Sequence, residues 1–308
     1  MFVTIGLSPR RPLFGRVDHD HVIYSPEGEI AMLCIREAAL HYGALIQLHR
    51  FVVMPDHVHL RFSWSAQGNA LRSIGAFVGR IKQTIHYRIA GHSPSIWEDG
   101  YHDLICTSER MNRCVDAYIG NNPLKQWLMY RDRSFMHVRE PFLLPPGCDE
   151  GCVWRAVGEE SLLDASPLVA MRISRRIPVA KLPAVVAVCM RGVEHGYRYI
   201  STFYSPGERT LWEALAAHGA APMVRLIPTF LELAYRPHGQ EAPLFAARRL
   251  LVLSRMADPE ADPARGELLD LNEIAARLAL ASPGGKAVYA QWNGSAVRYE
   301  SRQAFVDA

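Results

Sequence analysis

Two histidines one residue apart, His57 and His59, lie in the run Met54-Pro55-Asp56-His57-Val58-His59-Leu60. Alternate side chains of a β-strand share a face, so the imidazoles project together while Val58 and Leu60 turn into the core. Two imidazoles on one rigid face are most of a small divalent-cation site. The same pattern also describes strand histidines that meet solvent or local hydrogen bonds. Farther along, Tyr118-Ile119-Gly120-Asn121-Asn122-Pro123 sets a phenol and a carboxamide four residues apart, one above the other on a helix. Joined to the histidines, they supply a nucleophile and a third ligand. Taken alone, they read as a buried tyrosine with its hydroxyl satisfied and an asparagine closing a helix before proline.

Strands and helices must bring these groups together. FVTIGL reads as a strand, and GALIQLHRFVVM and HVHLRFSW, rich in β-branched and aromatic residues around a turn-like Met54-Pro55-Asp56, read as a hairpin. Over residues 67–90, Leu71, Ile74, Val78, Ile81, Ile85 and Ile89 step by three and four, predicting an amphipathic helix. A second helix starts near Ser108, with Glu109 in its first turn, and is disturbed at Pro123. Farther on, LPAVVAVCM, APMVRLIP, RRLLVLSRM and GGKAVYAQW are short continuous apolar runs, the form of strands buried on both faces. Helical stretches at Glu208–His218 and Leu269–Leu280 lie between some of them, which predicts a parallel, doubly wound α/β sheet.

A chain of 308 residues has material for two cores. The Pro/Gly-rich stretch PFLLPPGCDEGC places the boundary, giving a first domain over 1–142, a linker over 143–152 and a second domain over 153–308. A hydrophobic fraction of 49% with no membrane-length apolar run, and an N-terminal apolar stretch soon broken by Pro9, Arg10 and Arg11, predict a soluble, cytoplasmic protein. The net charge of +3 belongs to the first half, where residues 1–145 hold 16 Lys/Arg against 13 Asp/Glu. Ten of the 13 histidines are there too, so titrating or metal-binding chemistry is expected in that half. Six scattered cysteines suit reduced thiols; Cys148 and Cys152 are one residue too widely spaced for a CxxC knuckle and have no second pair.

In order, RRPLFG, VVMPDHVHL, the basic amphipathic helix, IWEDGYHDLI and AYIGNNPLKQWL closely resemble the single-tyrosine HUH transposases, especially the repeat-associated tyrosine transposases. The resemblance implies a ferredoxin-like α+β nuclease domain, an antiparallel sheet with helices. It also implies His57 and His59 as metal ligands, Tyr118 as nucleophile and Asn122 as third ligand, where many members carry glutamine. The expected cofactor is Mg²⁺ or Mn²⁺. The expected substrate is single-stranded DNA with a hairpin, cut through a 5′-phosphotyrosine by a nucleoid-associated monomer or homodimer. Arg72, Arg80, Lys82 and Arg88 on the long helix are candidate phosphate contacts, and His102 a further candidate DNA contact. His102 and Asp103, in what reads as a turn, are candidates for a general base.

The segments ISTFYSPGERTLWEAL, MVRLIP, RRLLVLSRM, LNEIAARLA and SPGGKAVYA resemble the SLOG superfamily of Rossmann-like domains, which includes DNA-processing-A-like proteins. Ser205, Gly207 and Glu208 would then form a strand-to-helix turn offering backbone N–H groups to a phosphate of a nucleotide or of DNA. Arg248 and Arg249 stand where relatives often have glycine. A second reading keeps the fold and drops the chemistry, as a domesticated DNA-binding or nucleotide-sensing protein.

Overall fold

The computed structural model describes the chain except for residues 66–72, 92, 132–135, 150–151, 165–166, 219–220, 234, 238–239, 256–264 and 303–308. It divides into two units, Met1–Asp132 with Pro237–Ala242, and Arg133–Arg236 with Pro243–Ala308.

The first unit runs β1 (Phe2–Gly6), β2 (Gly15–Asp18), β3 (His21–Tyr24), α1 (Pro26–Tyr42), β4 (Ile46–Val53), β5 (His57–Trp64), α2 (Ile74–Ala90), β6 (His102–Leu104) and α3 (Glu109–Arg131). Its main sheet has the order β4-β5-β1-β6, with antiparallel neighbours throughout. With α1 after β1 and α2 after β5, this is the expected ferredoxin-like arrangement, to which the β2–β3 hairpin and α3 are additions. Ser25 caps α1 by accepting from the Gly28 N–H, and Ser73 caps α2 by accepting from the Ala76 N–H. Alternation along the strands sends Val3, Ile5, Val58, Leu60 and Phe62 to one face, where they form a core with Ile35 and Ala38 of α1 and Phe77, Ile81 and Ile85 of α2. Residues of opposite parity, including Phe2, Thr4, His57, His59 and Arg61, point to the other face, and α3 covers it. There Arg61 donates to both carboxylate oxygens of Asp116 of α3 at 2.5 and 2.7 Å.

Helix α3 passes through Pro123, where the sequence predicts a disturbance, and ends at Arg131. Proline removes the donor for the Ile119 carbonyl and costs about 3 kcal/mol in a helix interior. Beyond it, however, Leu128 is buried and Trp127 stacks on His19 at 4.6 Å, so the sheet and the β2–β3 hairpin hold the second half of the helix in place.

The second unit contains β7 (Arg139–Phe142), β8 (Trp154–Gly158), α4 (Ser161–Asp164), β9 (Leu168–Ile173), α5 (Leu182–Glu194), β10 (Arg198–Ser201), α6 (Pro206–Ala217), β11 (Met223–Ile227), α7 (Glu241–Ala246), β12 (Leu250–Arg255), α8 (Arg265–Ala281), β13 (Lys286–Trp292) and β14 (Val297–Arg302). One sheet, ordered β14-β13-β9-β10-β11-β12-β8-β7, has a parallel centre from β13 to β12 and antiparallel strands outside it. This is the expected Rossmann-like α/β class. The pairing of β7 with β8 puts residues 139–142 in this sheet, ahead of the proline-rich stretch at which the sequence places the boundary. The run LPAVVAVCM, expected as a strand, is part of α5. Pro183 opens the helix, and Leu182, Val185, Cys189 and Val193 are buried at helical spacing, a period masked by the apolar residues between them. Cys148 is in the core, Cys152 is exposed, and both are free, with thiol pKa values raised by burial. Among the described residues no helix is long and apolar enough to cross a membrane.

The Arg61–Asp116 pair is a polar tie between α3 and the sheet, and the Arg61 side chain is only 13% exposed. Asp116→Ala leaves that guanidinium without its partner and is expected to cost about 1–3 kcal/mol in urea unfolding. An unchanged midpoint would show that apolar packing alone holds α3.

Candidate active site: a histidine pair beside Tyr118

The register of β5 against β1 sets Thr4 opposite His59 and Gly6 opposite His57, on the sheet face that α3 covers. The two imidazoles meet with Nε2 of His57 3.1 Å from Nε2 of His59. Each ring is fixed from behind. His57 Nδ1 is 2.6 Å from Asp56 Oδ1, and His59 Nδ1 is 2.8 Å from the Thr4 hydroxyl. Asp56 is held below the usual carboxylate range, first by the His57 hydrogen bond and further by Arg10. An ionised carboxylate only accepts, so Nδ1 of His57 carries a proton, and in the neutral ring Nε2 is the atom with the lone pair. Arg10 extends the chain outward, bonding Asp56 at 3.4 Å and Glu98 at 2.9 Å.

His59 is 4% exposed, and burial, reinforced by His57 and Lys125, pushes its pKa well below the ordinary value. It is therefore held as the neutral imidazole, the form that ligates a cation. The Thr4 hydroxyl can donate to Nδ1 or accept from it, so it suits either tautomer. Two nitrogens each about 2.1 Å from one ion lie ~3.0 Å apart at a right angle and ~3.4 Å apart at a tetrahedral angle. The observed separation falls within that interval. Among the described residues no group of three or more His, Cys, Asp and Glu side chains is arranged to hold a metal.

Tyr118 lies against His59. Its ring is 5.2 Å from that of His59 and 5.8 Å from that of Phe2, both edge-on. Asn122 is one turn farther along α3 and 6% exposed. Lys125 sets its Nζ 5.1 Å from the Tyr118 ring centroid. Gly120, between Tyr118 and Asn122, leaves room for the Arg50 guanidinium, which a Cβ would displace. Sequence reasoning missed Thr4, Arg10 and Lys125. Only Asp56, adjacent to His57, carried a local signal.

The other expected contacts are scattered. Arg72 lies outside the described residues. Arg80 is exposed on α2, which packs against the opposite sheet face from the imidazoles. Lys82 donates to the carbonyls of Glu98 at 2.6 Å and Gly100 at 2.9 Å, and Arg88 pairs with Glu37 of α1 at 2.7 Å. Both thus have intramolecular partners. His102 and Asp103 belong to edge strand β6 rather than to a turn. His102 pairs with Thr4 and so shares the histidine face, while Asp103 pairs with Val3 and faces away.

In the second unit, Ser205 and Glu208 close a capping box on α6. The Glu208 carboxylate accepts from the N–H groups of Tyr204 at 3.1 Å and Ser205 and Ile173 at 3.3 Å. Of the N–H groups expected to meet a phosphate, that of Ser205 bonds the Glu208 carboxylate and that of Glu208 bonds the Ser205 hydroxyl. Gly207 instead allows close packing, since a Cβ there would meet Ile173 at 2.4 Å.

Residues 18–122, which include both histidines, Tyr118 and Asn122, match the family described as "Transposase IS200 like". The match falls on the residues whose motifs resemble the single-tyrosine transposases. An uncharacterized protein of Haemophilus influenzae is 22% identical over 143 residues, 40% of this chain and 79% of that protein. Among solved structures, a REP-associated tyrosine transposase bound to a REP hairpin aligns with 17% identity and a TM-score of 0.33, over 41% of this chain and 66% of that one. DNA processing protein A of Helicobacter pylori, whose description concerns single-stranded DNA binding, aligns with 18% identity and a TM-score of 0.38, over 48% of this chain and 69% of that one.

The depressed pKa of His59 has a thermodynamic consequence. Below the unfolded-state value of about 6.5 the unfolded chain takes up a proton that the folded site refuses, so stability is full above that pH and is lost as pH falls toward the folded pKa. Metal-free protein should lose thermal stability below about pH 6.5 more steeply than the His59→Gln variant. Parallel pH profiles in calorimetry would contradict this.

Proposed function

We propose that the first unit is a metal-dependent endonuclease and strand transferase of the transposase type, acting on single-stranded DNA at hairpin-flanked sites through a covalent 5′-phosphotyrosine on Tyr118. The observation that carries this reading is the packing of the Tyr118 ring on His59, whose Nε2 opposes that of His57. The family match over the same residues supports it.

In this reading His57 and His59 hold Mg²⁺ or Mn²⁺, with Asn122 as the third protein ligand. When bound, the ion supplies Lewis-acid polarisation of the scissile phosphate. The rest falls to the chain. Asp56 and Thr4 fix the imidazole orientations, and α3 presents the phenol to the same point. Tyr118 Oη forms a bond to phosphorus as the bond to the 3′ oxygen breaks; the phenol loses its proton and the leaving oxygen gains one as a 3′-hydroxyl. One phosphoester replaces another, so an incoming 3′-hydroxyl can reverse the step without ATP. Lys125 places positive charge beside the phenol, where it offsets the charge of the attacking oxygen.

For the second unit, one observation favours binding of a nucleotide or a DNA strand. A cavity of about 430 Å³ opens beyond the carboxyl ends of β9 and β13, where the sheet order reverses, and Arg172, Arg175, Arg176, Tyr204, Tyr289 and Trp292 line it. Cations and aromatic rings suit phosphate and base together.

The test incubates labelled single-stranded hairpin oligonucleotides from the DNA flanking the gene with the protein and with Tyr118→Phe, with and without Mn²⁺. The expected outcome is a covalent adduct that needs both the phenol and the cation. Hairpin binding without any adduct would overturn the enzymatic reading and leave a DNA-binding protein.

A further inference from the structure

We infer that a second cavity on the first unit receives an unpaired nucleobase of the strand on which Tyr118 acts; this rests on the reading of the unit as a single-strand nuclease. The cavity measures about 450 Å³ and is bordered by Arg16 and Asp18 of β2, by Pro55 of the β4–β5 turn, and by Gln126, Trp127 and Tyr130 of α3. Three features of its wall fit a base in a strand. Tyr130 keeps 70% of its surface exposed, and Trp127 lines the cavity beside it while stacking on His19. Flat rings at an opening bind bases of any sequence, because every base has a π-face. Oε1 of Gln126 is buried and has no hydrogen-bond partner. A buried acceptor left unmet is costly, and the N–H groups on the edge of an unpaired base are the donors that it lacks. Arg16 is exposed at the rim, where a backbone phosphate would pass.

Position connects this cavity to the chemistry. Gln126 lies two helical turns beyond Tyr118 on the same helix, about 12 Å along the axis. Pro55 directly precedes Asp56 and His57, and the Pro55 carbonyl accepts from the Phe14 N–H at 3.0 Å, which ties the turn to the segment leading into β2. The two elements that present the phenol and the imidazoles therefore also build the cavity wall. A strand crossing Tyr118 along α3 arrives at these rings with its bases unpaired.

The experiment uses the full chain and three probes: fluorescein-labelled dA15, an oligonucleotide of the same length carrying 5-iododeoxyuridine, and free dAMP. Tyr130→Ala and Gln126→Leu are expected to weaken dA15 binding about tenfold each, with Mn²⁺ binding unchanged. Irradiation of the iodinated oligonucleotide should crosslink it to Trp127 or Tyr130, read by peptide mass spectrometry, and dAMP at millimolar concentration should not compete. Variants that bind dA15 like the parent, with no crosslink at the end of α3, overturn the proposal. So does full competition by dAMP, which would make the cavity a free-nucleotide site. Because Tyr130 is exposed, its variant keeps the test valid if Gln126→Leu does not fold. An adduct at Tyr118 together with unaffected variants removes the base pocket and leaves the nuclease. A crosslink here without any adduct does the reverse.

Discussion

Two imidazole nitrogens held 3.1 Å apart, both turned toward the same point, are the constraint around which the first unit is organised. Such an arrangement is unfavourable unless one ring gives a proton to the other or a cation lies between the lone pairs. The surroundings are compatible with lone pairs on both. Asp56 accepts a hydrogen bond from Nδ1–H of His57, burial keeps His59 neutral, and Thr4 suits either tautomer. Each orienting group comes from a different place, Thr4 from the strand beside β5 and Asp56 from the turn that starts it, so the sheet register itself fixes the geometry.

Helix α3 adds the phenol by lying across the polar face of a sheet whose other face is already filled. That face is unusual in placing arginines and histidines under a helix. It is tolerable because the Arg61 guanidinium meets Asp116 in a forked contact and Arg50 fits against Gly120. The cost of Pro123 is borne in the same way, by packing of the helix after it. A helix so tied holds Tyr118, Asn122 and Lys125 in fixed relation to one another, as the proposed in-line attack on a phosphate would require.

Much of this was legible in the sequence. The spacing of His57 and His59 gave a shared strand face, and the spacing of Tyr118 and Asn122 gave a shared helix face, because those periods are local properties of the backbone. What was not legible depends on contacts between distant residues. Thr4 and Arg10 join the site only through the pairing of β1 with β5 and the folding of the following loop. Lys82 and Arg88 looked like phosphate contacts until their partners, two loop carbonyls and Glu37, came into view. LPAVVAVCM misled for a related reason: apolar continuity is a weak signal beside the tertiary packing that decides a helix. At Ser205–Glu208 the motif was read correctly as a helix start, while the hydrogen bonds from Tyr204 and Ser205 to the Glu208 side chain depend on how the turn folds back.

In the proposed site both Nε2 atoms converge on one cation. Pulsed electron paramagnetic resonance of the Mn²⁺-loaded protein, prepared with ¹⁵N-labelled histidine, reads this directly. The account predicts one bound ion coupled to two imidazole nitrogens, reduced to one coupling in His57→Gln. An ion without nitrogen coupling, or with a spectrum unchanged in that variant, would contradict it.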